Sequence, residues 1–75
     1  MSLTTQQIEK AKFIGQAIAH DVIRENMSRE WTGLDPQDGD QLLAVGLDST
    51  MPEWSEAERI AREAYEVELA NGKKV

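Results

Sequence analysis

The stretch WTGLDPQDGD, residues 31–40, contains one tryptophan, two glycines, one proline and three aspartates. Its centre has the pattern of a helix start. Asp35 can accept hydrogen bonds from the free N–H groups of a first helical turn, and Pro36 suits the first helical position because it has no N–H to leave unpaired. The stretch therefore predicts a joint between two helices, the second of which begins at Pro36.

A short helix over residues 36–45 accounts for the other aspartates of this stretch. Asp38 and Asp40 fall in or near its first turn, where negative charge interacts favourably with the helix dipole. Gly46 is a natural end, because glycine readily adopts the left-handed conformation that closes many helices. The buried face of this helix is expected to consist of Leu42, Leu43 and Val45.

A long amphipathic helix is predicted before the joint, over residues 4–27, with Thr4 or Thr5 as its cap. At about 100° per residue, one broad face of this helix is apolar and the opposite face is polar. Gly15 lies within the apolar face, where glycine costs about 1 kcal/mol relative to alanine. We expect Gly15 to mark a place where another helix crosses closely. The apolar face comprises Ile8, Ala11, Ile14, Gly15, Ile18, Ala19, Val22 and Ile23.

A third helix is predicted over residues 51–70. Its start has two registers with the spacing of a capping box, Thr50 with Glu53 or Ser55 with Glu58, and the sequence does not separate them. Its apolar face comprises Trp54, Ala57, Ile60, Ala61, Ala64, Tyr65 and Val67.

These elements predict one all-α domain over residues 1–75, built from three helices with short joints rich in glycine, proline and aspartate. With no cysteine in the chain, neither disulfides nor thiolate metal sites can stabilise it. Stability must then come from helix packing or from a partner chain. The predicted core consists of Ile14, Ile18, Val22, Leu42, Leu43, Trp54, Ile60 and Tyr65.

The charge balance is acidic: fourteen Asp and Glu against eight Lys and Arg give a formal net charge of −6. Nucleic acid and anionic membranes need concentrated basic residues, so neither is expected as a direct ligand. The sign is compatible with a partner that has a basic surface, although many small domains are acidic simply for solubility. The first residues show no secretory signal and no apolar run long enough to cross a bilayer, so a cytoplasmic protein is expected.

Metal and cofactor chemistry has little support in the sequence. When Gly39 is aligned with the glycine of an EF-hand loop, Asp38 is the one early ligand in place, and Val45 stands where the closing glutamate belongs. A zinc cage lacks ligands, because His20 is the single histidine of the chain. We therefore expect neither a metal nor a cofactor, and we interpret His20 as a surface or hydrogen-bonded helix residue.

Catalysis and DNA binding are also disfavoured. No nucleophile elbow, phosphate-binding glycine loop or acid–base pair beside the histidine is present, so we do not expect an enzyme. A helix-turn-helix reading fails because the link GLDSTMP, residues 46–52, exceeds the usual turn length. The helix that would enter the groove then opens with PEWSEAE, residues 52–58, which brings three glutamates to the phosphates.

Protein recognition remains, and two aromatic side chains are candidate anchors. Phe13 lies off the main apolar face of the first helix, close to His20 and Arg24 by helical spacing. It is either the edge of a wide core or part of a stripe that faces a partner. Trp31, at the joint, can either cover the core or remain exposed for a partner.

The sequence thus suggests a non-catalytic protein-binding module, a small inhibitor or adaptor that acts by steric blocking. One alternative is an acidic mimic of nucleic acid that inhibits a nucleic-acid-binding protein, and another is a structural module that forms a homodimer. In size, acidity and lack of catalytic groups the chain is similar to small inhibitors and adaptors of phages and mobile elements, a likeness of class that assigns no residue. The candidate partner-binding residues are Phe13, His20, Arg24, Trp31, Asp35, Asp38, Asp40, Glu53, Glu56 and Glu58.

Overall fold

A computed structural model describes residues 3–24, 31 and 33–72. It contains three helices: α1 (Thr5–Arg24), α2 (Pro36–Leu43) and α3 (Trp54–Gly72). The described residues include no strand, so the predicted all-α fold with three helices is confirmed. The predicted end of the first helix at Met27 lies outside the described residues. Within the described residues, no helix combines the length and the apolarity that a bilayer crossing requires.

The start of α1 is fixed by Thr4 and Gln7. The Gln7 backbone N–H donates to Thr4 Oγ1 at 3.1 Å, and the Thr4 backbone N–H donates to Gln7 Oε1 at 3.0 Å. Thr4 rather than Thr5 is therefore the cap, in a reciprocal capping box. Leu3 is buried in the same cluster against which Ile8 packs, as expected for a hydrophobic staple across a helix start. Gln7 Nε2 also donates to the Val45 carbonyl at 3.1 Å, which ties α1 to the chain after α2.

The predicted start of α2 is confirmed. Asp38 N–H donates to Asp35 Oδ1 at 2.8 Å, and Asp35 N–H donates to Asp38 Oδ2 at 3.3 Å, with Pro36 at the first helical position. Two aspartates thus satisfy each other's backbone groups. Residues 33–40 run from a joint into a capped helix, as the sequence predicts.

Gly46 ends α2 through a Schellman turn. It has a φ of +88°, its N–H donates to the Leu43 carbonyl at 2.9 Å, and the N–H of Leu47 donates to the Leu42 carbonyl at 2.9 Å. The helix proper stops at Leu43, two residues before the predicted Val45, because the turn already occupies the residues that follow. The turn places Leu47 in the core beside Leu42, and both side chains are fully buried.

α3 begins three residues later than its predicted start at about Met51. The helix begins at Trp54, four residues after Thr50 and one before Ser55, so neither capping register is formed. Asp48 provides the physical reason. Its Oδ1 accepts from Thr50 N–H at 3.1 Å and its carbonyl accepts from Met51 N–H at 3.0 Å, so the chain makes a turn before the helix starts.

The two long helices, α1 and α3, run side by side in the same direction. Gly15 packs on Ala61. Further along both helices, His20 Nε2 lies 2.8 Å from Glu68 Oε1, and the final residue of α3 packs on Ile23. The connection between them must therefore return past both helices before α3 can start. Trp31 belongs to this return, with its ring centroid 5.4 Å from that of Tyr65.

Small residues form the seam between these parallel helices. The Cβ of an alanine at position 15 would overlap the Ala61 carbonyl oxygen and would lie 3.0 Å from the Tyr65 nitrogen. The close crossing predicted at Gly15 is thus confirmed. The fully buried residues that accompany it along the seam are Ala11, Ala19, Ala57 and Ala61.

The predicted core is largely in place, with one error. Ile14, Val22, Leu42 and Tyr65 are buried, and Ile18, Trp54 and Ile60 are half-buried against them. Leu43 is 58% exposed, because neighbouring helix residues point about 100° apart and α2 packs on α1 along one face, which Leu42 occupies. Two leucines that the predicted core omits, Leu3 and Leu47, are buried as well.

Replacing Gly15 by alanine should destabilise the fold, although alanine is the better helix former by about 1 kcal/mol. The obstacle is backbone of α3, which cannot rotate away, and overpacking of this kind costs about 1 to 3 kcal/mol. Urea unfolding followed by circular dichroism measures the change. Gly39→Ala is the matched control, since its Cβ would lie 3.7 Å from Trp54 in ordinary contact. Equal stability gains in both variants would contradict the close crossing.

Replacing Gln7 by glutamate should also destabilise the fold, by about 1 to 2 kcal/mol. Glutamate can still accept from Thr4 N–H, but it sets a carboxylate oxygen against the Val45 carbonyl in place of the donating amide. Gln6→Glu adds the same charge one residue earlier at an exposed position, where the helix dipole favours it. The comparison is made by urea unfolding, and a Gln7→Glu variant as stable as Gln6→Glu would show that the bond to Val45 contributes nothing.

Candidate docking surface

A depression of about 460 Å³ lies between α2, the turn after it and the start of α3. We call it the α2 groove. Its apolar lining consists of Leu34, Leu43, Leu47 and Trp54, and its acidic rim consists of Asp35, Asp40 and Asp48.

Local structure positions each part of this groove. The capping box holds Asp35 at the mouth, and the Schellman turn buries Leu47 at the base while Leu43 points outward. Trp54, the first residue of α3, approaches the open side of α2, where a Cβ on Gly39 would be 3.7 Å from its ring. The lining is therefore fixed by helix ends on both sides rather than by a free loop.

The acidic rim has no compensating cation among the described residues. The arginines of the described residues pair with carboxylates outside the rim, at 2.7 Å for Arg24–Asp21, 2.9 Å for Arg59–Glu63 and 3.1 Å for Arg62–Glu66. Each of the three rim residues, Asp35, Asp40 and Asp48, is exposed, and none belongs to an ion pair within the described part of the chain. The α2 groove thus combines an apolar lining with uncompensated negative charge.

The outer face of α1 brings together three of the predicted partner-binding residues. Phe13, His20 and Arg24 line one shallow depression with Ala17. Phe13 is 57% exposed, so it does not lie under the core edge, and Lys10 Nζ lies 5.5 Å from the centre of its ring. Here His20 is a hydrogen-bonded surface residue, as predicted. This face is separate from the α2 groove in its lining residues.

Trp31 is half-buried and packs on both hydrophobic clusters of the described residues. Its ring is tilted by 49° against that of Tyr65. Of the two predicted roles, covering the core is the one that this packing matches. Phe13 is the more accessible of the two candidate anchors.

The predicted acidic residues lie on two elements and differ in their contacts. Asp35 and Asp40 belong to the groove rim, whereas Asp38 is engaged in the capping box. Glu53, Glu56 and Glu58 lie around the start of α3. Glu56 lies 4.0 Å from Arg59, Glu58 is half-buried, and one Glu53 oxygen is buried without a hydrogen-bond partner in the described part of the structure.

Sequence reasoning missed the apolar lining of the groove. Leu47 carried a usable signal, because an apolar residue directly after a helix-ending glycine commonly packs back on the helix. Leu43 carried none, because the sequence does not say which of two successive leucines faces α1. Asp48 and Leu34 had no signal beyond their position beside a turn.

Among the described residues, no three histidine, cysteine, aspartate or glutamate side chains lie close enough together to hold a metal ion. Comparison of the chain with protein families, with curated proteins and with solved structures finds no match.

Two neighbouring leucines provide a direct check of the groove geometry. Leu42→Ala should cost about 2 to 5 kcal/mol of stability, because it removes a fully buried side chain from the core. Leu43→Ala should change stability by less than about 0.5 kcal/mol, because the side chain is exposed. Urea unfolding of the two variants measures both values. Similar losses in the two variants would mean that Leu43 is covered in the isolated protein.

Proposed function

We propose that the protein is a non-catalytic protein-binding module whose α2 groove accepts a basic segment of another protein with an apolar anchor. When the groove binds this segment, the segment can no longer contact other molecules. A small steric inhibitor or an adaptor acts in this way. The observation that carries the proposal is the uncovered apolar lining beneath three carboxylates that have no cation partner among the described residues.

The apolar lining would supply affinity. Leu43 is 58% exposed and Trp54 is half-buried, so both have surface left to remove from water. Complete burial of a leucine side chain stabilises a complex by about 1.5 to 3 kcal/mol. Tryptophan is also one of the residues most often found as a hot spot of an interface. An apolar side chain of the partner, seated against these two residues, would account for most of the binding energy.

The acidic rim would favour a positively charged partner and raise its association rate. Negative charge at Asp35, Asp40 and Asp48, which is part of the net charge of −6, attracts Lys and Arg side chains over about a Debye length. Such complementarity raises association rates more than it raises final affinity. The rate of binding should therefore fall with salt, while the lifetime of the complex should change little.

Mimicry of nucleic acid is the less favoured alternative. A mimic needs carboxylates that are free and arranged as a track, whereas Asp38 closes a capping box and Glu56 lies beside Arg59. The centre of the groove is apolar, which suits a protein side chain better than it suits the phosphate-binding surface that a mimic must occupy.

Two synthetic peptides of equal length test the proposal, one an amphipathic Leu/Lys sequence and the other a Leu/Glu sequence of the same pattern. We expect the Leu/Lys peptide to shift the ¹⁵N-labelled indole N–H signal of Trp54, and the Leu/Glu peptide to leave it unchanged. Leu43→Asp should weaken binding of the Leu/Lys peptide at least tenfold by loss of the apolar contact, about 1.4 kcal/mol.

The same substitution separates docking from simple attraction between opposite charges. Leu43→Asp adds a negative charge, so a peptide held by charge alone would bind it more tightly. Phe13→Asp is the matched control, because Phe13 is exposed to nearly the same degree, 57%, on another face. Binding that survives Leu43→Asp and fails with Phe13→Asp would overturn the assignment to the α2 groove and move it to the outer face of α1.

A further inference from the structure

A second apolar groove lies on the opposite side of the seam, between the two parallel helices. We call it the α1–α3 groove. Its volume is about 340 Å³, and its apolar lining includes Ile8, Ile60, Ala64 and Val67, of which Val67 is 60% exposed. We propose that this groove is the interface of a homodimer in which α1 of one copy lies over α3 of the other. This proposal is independent of the α2 groove.

The packing of the helices explains why the groove exists. Gly15 and the alanines of the seam bring the two backbones close, so larger apolar side chains are displaced to the flanks of the contact. On one flank, the returning connection covers them: Trp31 packs there on Tyr65, in the cluster against which Ile18 also packs. On the other flank, the described residues include no segment that covers Ile60 and Val67, and both retain exposed surface.

The charges along the groove argue for a second copy rather than another partner. Its α1 side carries Lys12, which belongs to no ion pair among the described residues. Its α3 side carries Glu63 and Glu68, which lie 2.9 Å from Arg59 Nη1 and 2.8 Å from His20 Nε2 within the same chain. Lys12 and these carboxylates therefore stand on opposite edges of the groove, with an apolar strip between them. A surface of this kind is complementary to itself, as a two-fold interface requires.

The direction of the two-fold axis follows from the same edges. An axis along the groove places the α1 edge of one copy over the α3 edge of the other and keeps all helices parallel.

Positions on α1 and α3 that lie side by side differ by 48 residues, as His20 and Glu68 show. Lys12 is therefore level with Ile60, and Glu63 lies one short step further along, about 4.5 Å. Lys12 of each copy can then reach Glu63 of the other, and the contact occurs twice. An axis across the groove would bring Lys12 towards a second lysine instead.

The size of the groove sets the expected strength. It extends over residues 8–16 of α1, or about 12 Å, which is well below the extent of a standard stable interface. We therefore expect a weak dimer that dissociates on dilution. In sedimentation velocity across a concentration series, the mass should rise from the monomer value of 8.4 kDa towards twice that value. A chain that remains monomeric at about 1 mM would overturn the proposal.

Val67→Glu tests the apolar strip. It should raise the protein concentration at which half of the chains are dimeric by at least tenfold. Leu43→Glu is its matched control, since Leu43 is exposed to a similar degree, 58%, on the α2 groove. The control should dimerise like the original protein. Circular dichroism of both variants verifies that the fold is intact, and equal dimerisation of the two would place the interface elsewhere.

A charge exchange between copies tests the geometry. Lys12→Glu and Glu63→Lys should each weaken self-association, by about tenfold, because each creates two like-charge contacts. An equimolar mixture of the two variants should recover association, since both contacts in a mixed dimer again join opposite charges. If the double variant recovers association and the mixture does not, the charges act within one chain, and the proposed arrangement is wrong.

Discussion

The contact between Gly15 and the Ala61 backbone is the constraint on which the rest of the structure depends. It allows the backbones of two long helices to come into direct contact. It also fixes how far one helix is shifted along the other, because the Tyr65 backbone packs beside the same glycine. Helices that are consecutive in the chain often pair antiparallel, through a short turn. Here α1 and α3 are parallel, so the chain must return along the pair before α3 begins, and Trp31 and residues 33–53 belong to that return.

The same contact determines which surfaces stay apolar. A seam of glycine and alanine buries little side-chain volume, and the large side chains that are fully buried are Ile14, Leu42 and Leu47. Two of these three come from α2 and its closing turn, so the short helix contributes much more to the core than its length suggests. Because the return can cover one flank of the helix pair, the other flank keeps Ile60 and Val67 at the surface.

Local signals in the sequence were sufficient wherever a helix end uses side-chain hydrogen bonds or a required glycine conformation. Asp35 with Pro36 predicted the start of α2, and Gly46 predicted its closure. The close crossing at Gly15 was also predictable, because a glycine inside an apolar helical face is unfavourable unless a neighbour needs the space. The start of α3 was not, because two capping patterns overlap there and the turn at Asp48 prevails over both.

Exposure within an apolar pair could not be read from periodicity alone. Leu42 and Leu43 are equally apolar and adjacent, and which of them is buried depends on the side from which α1 approaches, a tertiary fact. The candidate docking surface is hard to recognise in the sequence for this reason: most of its apolar lining consists of leucines that look like core residues. The Schellman turn contributes to both the core and the docking surface. Leu47 belongs to the same buried cluster as Leu42, and it also forms the base of the α2 groove. The turn that completes the small core thus also shapes the surface on which Leu43 is left uncovered, so the geometry of that surface depends on the integrity of the fold.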